Sequence, residues 1–249
     1  MWGSGNYAAV ADKITSAGER VVEAAGVEPG MDLLDVACGT GNSTIPAARR
    51  GARVTGLDFS SDLLAIARER AADAMVEVDW VEADAMDMPF VDSSFDRVIS
   101  TFGHMFAPDQ RRTAAELLRV CRPDGAIAFG CWSPEGAIGR MFMRIGELVP
   151  PPPGSESPLL WGTEERVREL LGDSVEFQRH EIVWRERSVE DYTDFMLESF
   201  GPLVNAQDVL AERAGDLRSS YIAYLEAENQ ADDGTLRFAG EYLVSVVRP

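Results

Sequence analysis

The stretch Leu33-Leu34-Asp35-Val36-Ala37-Cys38-Gly39-Thr40-Gly41 constrains this chain more than any other. Leu33, Leu34 and Val36 read as a buried strand. Gly39 and Gly41 then allow a tight turn in which the backbone can come close to a ligand. A helix starting near Asn42 or Ser43 would aim its free N–H groups at whatever sits in that turn. Strand, glycine turn and helix in this order make a ligand-binding crossover.

The alternation continues through residue 131. Strands are expected at Arg53–Leu57, ending on Asp58, then at Val76–Val81 with Glu82 near its end, at Phe95–Ser100 and at Ala126–Cys131. Between them, Ser60 is a reasonable N-cap for a helix to Ala74, with Leu63, Leu64 and Ala67 on one face. A second helix opens at Pro108 or Asp109 and runs to about Val120, with Leu117 and Leu118 facing inward. Pro123-Asp124-Gly125 reads as a turn. This order predicts an α/β fold, a Rossmann-like doubly wound and mostly parallel sheet with helices on both faces.

The flanks are less regular. A helix is expected from about Tyr7 to Ala25, within an N-terminal helical cap over 1–29. After Trp132 come a short helix at Ile138–Val149, a proline run, a helix from a Thr163 cap to Leu171, and a strand at Val175–Trp184. Residues 189–229 read as mainly helical, broken at Gly201-Pro202, before a last strand at Phe238–Val247. No linker separates two units, so 1–249 is expected to be a single domain. Its segments 134–162 and 189–229 would form a partly helical lid over a substrate.

Composition excludes several classes of partner. The formal charge of -19 leaves no basic patch for nucleic acid beyond short arginine pairs. Arginine carries nearly all of the positive charge, and Lys13 is the single lysine. The three cysteines, Cys38, Cys121 and Cys131, have neither zinc spacing nor a secreted disulfide pattern. No apolar run is long enough for membrane insertion, and no signal-peptide pattern opens the chain, so a cytoplasmic protein is expected.

Ligands of open parallel sheets bind at the carboxyl ends of the strands, where strand order reverses. Asp58 falls there, and its carboxylate can accept hydrogen bonds from both hydroxyls of a ribose. Asp84 could accept from an adenine amino group while Met86 or Phe59 contacts the ring. The plainer alternative is that both acids cap the segments that follow them. A dinucleotide turn would place a third glycine where this chain has Thr44. The chain instead offers Asp35 just before the turn. A carboxylate there suits a cationic ligand better than a pyrophosphate, unless backbone donors satisfy it as a buried acid.

Several stretches in register resemble the class I S-adenosylmethionine-dependent methyltransferases, in particular the small-molecule branch that includes quinone-biosynthesis enzymes. They are Leu33–Gly41, Val54-Thr55-Gly56-Leu57-Asp58-Phe59-Ser60, Glu82-Ala83-Asp84-Ala85-Met86-Asp87-Met88-Pro89-Phe90, and Phe95-Asp96-Arg97-Val98. The resemblance implies S-adenosylmethionine as methyl donor and S-adenosylhomocysteine as product. Asp35, Gly39 and Gly41 would hold the methionine part, Asp58 the ribose, and Phe59, Asp84 and Ala85 the adenine. Ser100 and Thr101 would line the floor near the sulfonium, and Tyr7 would close over the cofactor. Ala37 stands where many relatives have the first glycine, and alanine is the smallest replacement. The resemblance also implies seven strands, the seventh lying antiparallel between the fifth and sixth.

Methyl transfer is a displacement at carbon, so the enzyme mainly aligns the partners and excludes water. His104 is the candidate catalytic base if the acceptor must lose a proton, with a polar wall residue as the plainer reading. His180 reads as structural or exposed, and neither histidine belongs to a metal constellation. Trp2, Phe102, Met105, Phe106, Trp132, Met141, Met143 and Trp161 could line a pocket for a small apolar or aromatic acceptor, or could simply pack a lid. Two other functions remain open at this stage. One is an S-adenosylmethionine-binding protein without catalysis. The other is a nicotinamide-dependent oxidoreductase, against which Thr44 and Asp35 argue.

Overall fold

The computed structural model describes residues 5–150 and 155–249. Its centre is a seven-stranded sheet of order β3-β2-β1-β4-β5-β7-β6. The strands are β1 (Asp32–Val36), β2 (Arg53–Asp58), β3 (Asp79–Glu82), β4 (Phe95–Thr101), β5 (Cys121–Trp132), β6 (Val175–Glu186) and β7 (Leu236–Val247). Strands β1 to β5 are parallel to one another, and β7 runs antiparallel to both β5 and β6. This is the expected sheet, with the seventh strand between the fifth and sixth. The order reverses between β1 and β4, so the loops leaving those strands diverge and open a crevice.

Helices cover the two faces. On one side lie α1 (Tyr7–Asp12), α2 (Thr15–Ala24), α3 (Thr44–Arg49) and α4 (Ser61–Asp73). Val21 of α2 marks that face, lying where a side chain on Gly130 of β5 would point. On the other side lie α5 (Gln110–Val120) and α7 (Glu164–Leu171), where Phe129 of β5 meets the Trp161 ring. A helical cluster of α6 (Ala137–Leu148), α8 (Val189–Ser199), α9 (Gly201–Leu210) and α10 (Ala214–Glu228) builds up beyond the β7 end of the sheet. Tyr221 and Tyr224 of α10 fasten α6 by hydrogen bonds to Met141 Sδ and the Ala137 carbonyl. Ser60, Asp109 and Thr163 cap α4, α5 and α7 through their side chains.

Three sequence expectations shift. The N-terminal helix is two helices: at the break the Ala11 carbonyl accepts from Ile14 N–H and from Asn42 Nδ2. The third strand starts at Asp79 rather than Val76. Met75 adopts a left-handed conformation and Val76 N–H returns to the Ala71 carbonyl, closing α4 in a Schellman turn. Pro123-Asp124-Gly125 is a bulge within β5, not a turn before it. Cys121 pairs with Phe95 and the next rung joins Ala126 to Arg97, so residues 122–125 loop out. Arg122 in that bulge pairs with Asp96 and Asp32, and Asp32 also binds Arg53. This cluster ties four strands together at the end of the sheet opposite the crevice.

Two backbone conformations shape the crevice itself. Ala37 at the β1 exit and Phe102 at the β4 exit both lie in the left-handed region, with φ of 53° and 61°. They fit because Gly103 has no side chain: a Cβ there would stand 2.4 Å from the Ala37 carbonyl oxygen and 2.6 Å from its Cβ. Among the described residues, no helix is long and apolar enough to cross a membrane.

Gly103→Ala is therefore expected to destabilise the fold by about 1–3 kcal/mol through overpacking at the crevice. Urea denaturation would measure this, and an unchanged midpoint would show that the two loops are not held in this contact.

Candidate active site

The glycine turn is held from below and from the side. Gly39 and Gly41 take φ of 56° and 86°, and Gly41 N–H closes the turn on the Cys38 carbonyl. Asp58, at the end of β2, reaches across: Oδ2 accepts from Gly39 N–H at 2.8 Å, and Oδ1 accepts from Ser60 N–H at 2.9 Å. One carboxylate thus joins the loops leaving β1 and β2. Burial raises its pKa above the ordinary carboxylate value, against the lowering by its backbone donors. Each oxygen has a second acceptor direction beyond these bonds.

Asp58 borders a cavity of about 360 Å³. Gly39, Asp58, Phe59, Asp84, Ala85 and Met86 line it, together with Tyr7, Phe102 and Phe106. Asp84 Oδ1 accepts from Met86 N–H at 2.8 Å, which holds the loop after β3 against the cavity. Phe59 is 61% exposed and stands at the rim as an uncovered ring. No arginine or lysine borders this cavity among the described residues. A pyrophosphate would meet carboxylates and no cation, whereas a sulfonium and an ammonium would meet favourable charge.

A recess runs inward under the turn, bordered by Tyr7, Asp35, Ala37, Asn42 and Thr101. Asp35 is buried there. Its Oδ2 accepts from Thr44 Oγ1 at 2.6 Å, while Oδ1 is buried with no partner. Burial is the main cause, and the Asp58 charge a further one, of a pKa pushed up to about 7. An orphaned acceptor in a recess off the cavity fits the ammonium end of an amino-acid ligand. Thr44, visible in the sequence only as a missing glycine, proves to be the donor that orients Asp35. Tyr7 borders cavity and recess, and its hydroxyl is pushed up to about 12 by burial and by Asp58.

Other expected residues fall elsewhere. Ser100 lies beneath the cavity instead of lining it, donating to the Val36 carbonyl at 2.7 Å and accepting from His104 N–H at 3.2 Å. Thr101 Oγ1 is bonded to Ser43 Oγ at 2.7 Å. Gly41 shapes the turn but faces Ile45 and Trp80, away from the cavity. His104 borders the cavity, yet its ring packs edge-on against Phe129 and Trp161, with Nε2 3.7 Å from Cys131 Sγ. Burial lowers its pKa to about 3, so the imidazole is neutral and a weak base. Met105 and Trp161 are enclosed in the core and border neither the cavity nor the recess. Met143 is an exposed residue of α6, and Trp2 lies outside the described residues.

A second, narrower chamber of about 50 Å³ adjoins the first and shares Tyr7, Phe102 and Phe106 with it. Trp132 and Met141 line it, as the sequence suggested. Phe142 from α6, Trp184 from β6, and Tyr192, Met196 and Phe200 from and after α8 line it too, and sequence reasoning missed them. The only signal they carried was membership of apolar helix faces. Rings dominate: Phe102 stacks on Trp132 at 3.9 Å, and Trp184 stacks on Phe238 at 5.0 Å.

A methyltransferase-domain family matches residues 33–125. An uncharacterized protein of Mycobacterium tuberculosis is 37% identical over 260 residues, covering 100% of this chain and 92% of that one. Demethylmenaquinone methyltransferase of Renibacterium salmoninarum is 41% identical over 107 residues, which span 43% of this chain and 44% of that enzyme. Among solved structures, a Bacillus halodurans protein assigned as a methyltransferase superposes with a TM-score of 0.64 at 21% identity, covering 94% of this chain and 99% of that one. The chain belongs to the class I S-adenosylmethionine-dependent methyltransferases.

Proposed function

We propose that this enzyme methylates a small, flat, largely apolar molecule with an aromatic body. The observation that carries the reading is the ring-lined chamber sharing Tyr7, Phe102 and Phe106 with the cofactor cavity. An acceptor seated there lies beside the donor, and α6, α8 and Phe200 supply much of its cover. Asp58 is the group to hold the ribose, Asp84 and Met86 the adenine edge, Phe59 the adenine face, and Asp35 with Thr44 the methionine end.

When bound, S-adenosylmethionine supplies a methyl group already activated by its sulfonium. The chain's own contribution is then alignment and exclusion of water. The Phe102–Trp132 stack and the α6 and α8 side chains offer an apolar wall that holds an acceptor and keeps solvent out. We give His104 no base role in this reading, because its ring packs edge-on against Phe129 and Trp161 and burial holds it neutral. The acceptor atom that attacks is therefore one that is nucleophilic as bound, or that loses its proton to solvent. Incubation with methyl-labelled S-adenosylmethionine and a panel of aromatic phenols, carboxylic acids and amines tests this reading. Label transferred to a panel member is expected. Cofactor binding without transfer to any acceptor would favour a binding protein without catalysis.

Asp58→Ala is expected to weaken S-adenosylhomocysteine binding by about 10–100-fold, the loss of a charged acceptor. Calorimetry on the folded variant reads this, and an unchanged dissociation constant would remove Asp58 from the ribose role. Asp35 gives a pH dependence with a definite sign. In the free protein its carboxyl is raised to about 7, and a cationic ligand nearby favours its ionised form. Binding should therefore release a proton between pH 6 and about 7, and affinity should rise with pH across that window. Calorimetry in buffers of different ionisation enthalpy would detect the release. Asp35→Asn should abolish it, and release that persists in that variant would assign it to another group.

A further inference from the structure

The chamber assigned above to the acceptor is apolar along its length except at one place. Lys13, just after α1, reaches its wall. It is the only lysine in the chain. Its Nζ pairs with Glu186 at the end of β6, and it lies 5.0 Å from the Phe195 ring centroid and 5.9 Å from that of Tyr192. The rings and the ion pair hold the ammonium in place. An ammonium carries three donors. Glu186 takes one, and no other described oxygen accepts from Nζ.

The surroundings make this a single charge. Tyr7 and Tyr192 also border the chamber, and burial is the first cause holding both hydroxyls neutral. Glu186, the partner of Lys13, is not part of the wall. Lys13 is thus the one formally charged side chain facing the chamber among the described residues. Elsewhere a net charge of -19 repels anions, so an anionic group on a ligand needs such a local cation to be held.

We propose that Lys13 anchors an anionic oxygen group, a carboxylate or an ionised phenol, carried on the aromatic acceptor. This rests on the acceptor chamber of the preceding section. The ligand oxygen takes the donors that Glu186 leaves, and no bond is made or broken in the anchoring. Lys13 is then a specificity determinant: it selects among flat apolar molecules by their charge.

Three matched probes separate the outcomes: 2-naphthoate, 2-naphthylmethanol and 2-naphthylmethylamine, each titrated by calorimetry into the full chain saturated with S-adenosylhomocysteine. The carboxylate should bind roughly tenfold more tightly than the alcohol, and more tightly than the amine, because a charge-assisted bond outweighs a neutral one. Lys13→Met should erase that preference and Lys13→Arg should keep most of it, with S-adenosylhomocysteine affinity unchanged in both. Glu186→Gln removes the competing anion and should tighten the carboxylate further, which tests the idea even if Lys13→Met fails to fold. Equal binding of the three probes, a preference for the amine, or a carboxylate preference that survives Lys13→Met would overturn the role of Lys13 and leave the chamber standing. No saturable binding of any probe, with the nucleoside product still bound, would overturn the acceptor chamber itself and this proposal with it.

Discussion

The Asp58 carboxylate joins what the sheet order would otherwise leave apart. It accepts from Gly39 N–H on one oxygen and from Ser60 N–H on the other, so the turn after β1 and the start of α4 share one anion. The same charge contributes to the raised pKa of Asp35 and of the Tyr7 hydroxyl. Around it lie left-handed residues at Ala37 and Gly39, and a close approach that Gly103 alone permits. Strain of this kind persists where neighbouring bonds over-determine the backbone, and here those bonds converge on a cavity wall. The cost is a carboxylate held in a poorly solvated place, which a ligand able to use its remaining acceptor directions would offset.

Charge decides what such a cavity can take. Many doubly wound sheets put a glycine turn at the end of the first strand and bind anionic phosphate there. In this chain the turn is ringed by Asp35, Asp58 and Asp84, and neither lysine nor arginine borders the main cavity among the described residues. Local geometry is shared with dinucleotide sites, but the field has the opposite sign. That field agrees with a sulfonium donor and with membership of the S-adenosylmethionine-dependent methyltransferases. Cations lie off that cavity: Arg70 donates to the Thr40 hydroxyl of the turn without bordering the cavity, Arg53 and Arg122 tie strands together at the far end of the sheet, and Lys13 stands in the second chamber.

The parts legible in the sequence are those set by local rules. Leu33, Leu34 and Val36 are apolar on both faces of their strand because both faces are covered. Ser60, Asp109 and Thr163 cap helices where their spacing said they would. Residues governed by tertiary contacts were harder to read. Pro123-Asp124-Gly125 has turn chemistry, yet pairing on both sides keeps it within β5 as a bulge. His104 follows a strand end, the usual place for a catalytic histidine in such a sheet, but which way its ring points depends on the space beside Phe129 and Trp161. Trp161 and Met105 are apolar, and apolarity alone does not separate a cavity wall from a core. The aromatic wall from α6 and α8 was hidden for the same reason, because those helices carry apolar faces with or without a ligand.

A crystal structure of the protein with S-adenosylhomocysteine would decide whether Asp58 anchors a nucleoside here. The account predicts ribose hydroxyls within hydrogen-bonding distance of Asp58, the adenine between Phe59 and Met86, and the sulfur directed toward the chamber beyond Phe102. A ligand seated away from Asp58, with that carboxylate bonded only to Gly39 and Ser60, would contradict it.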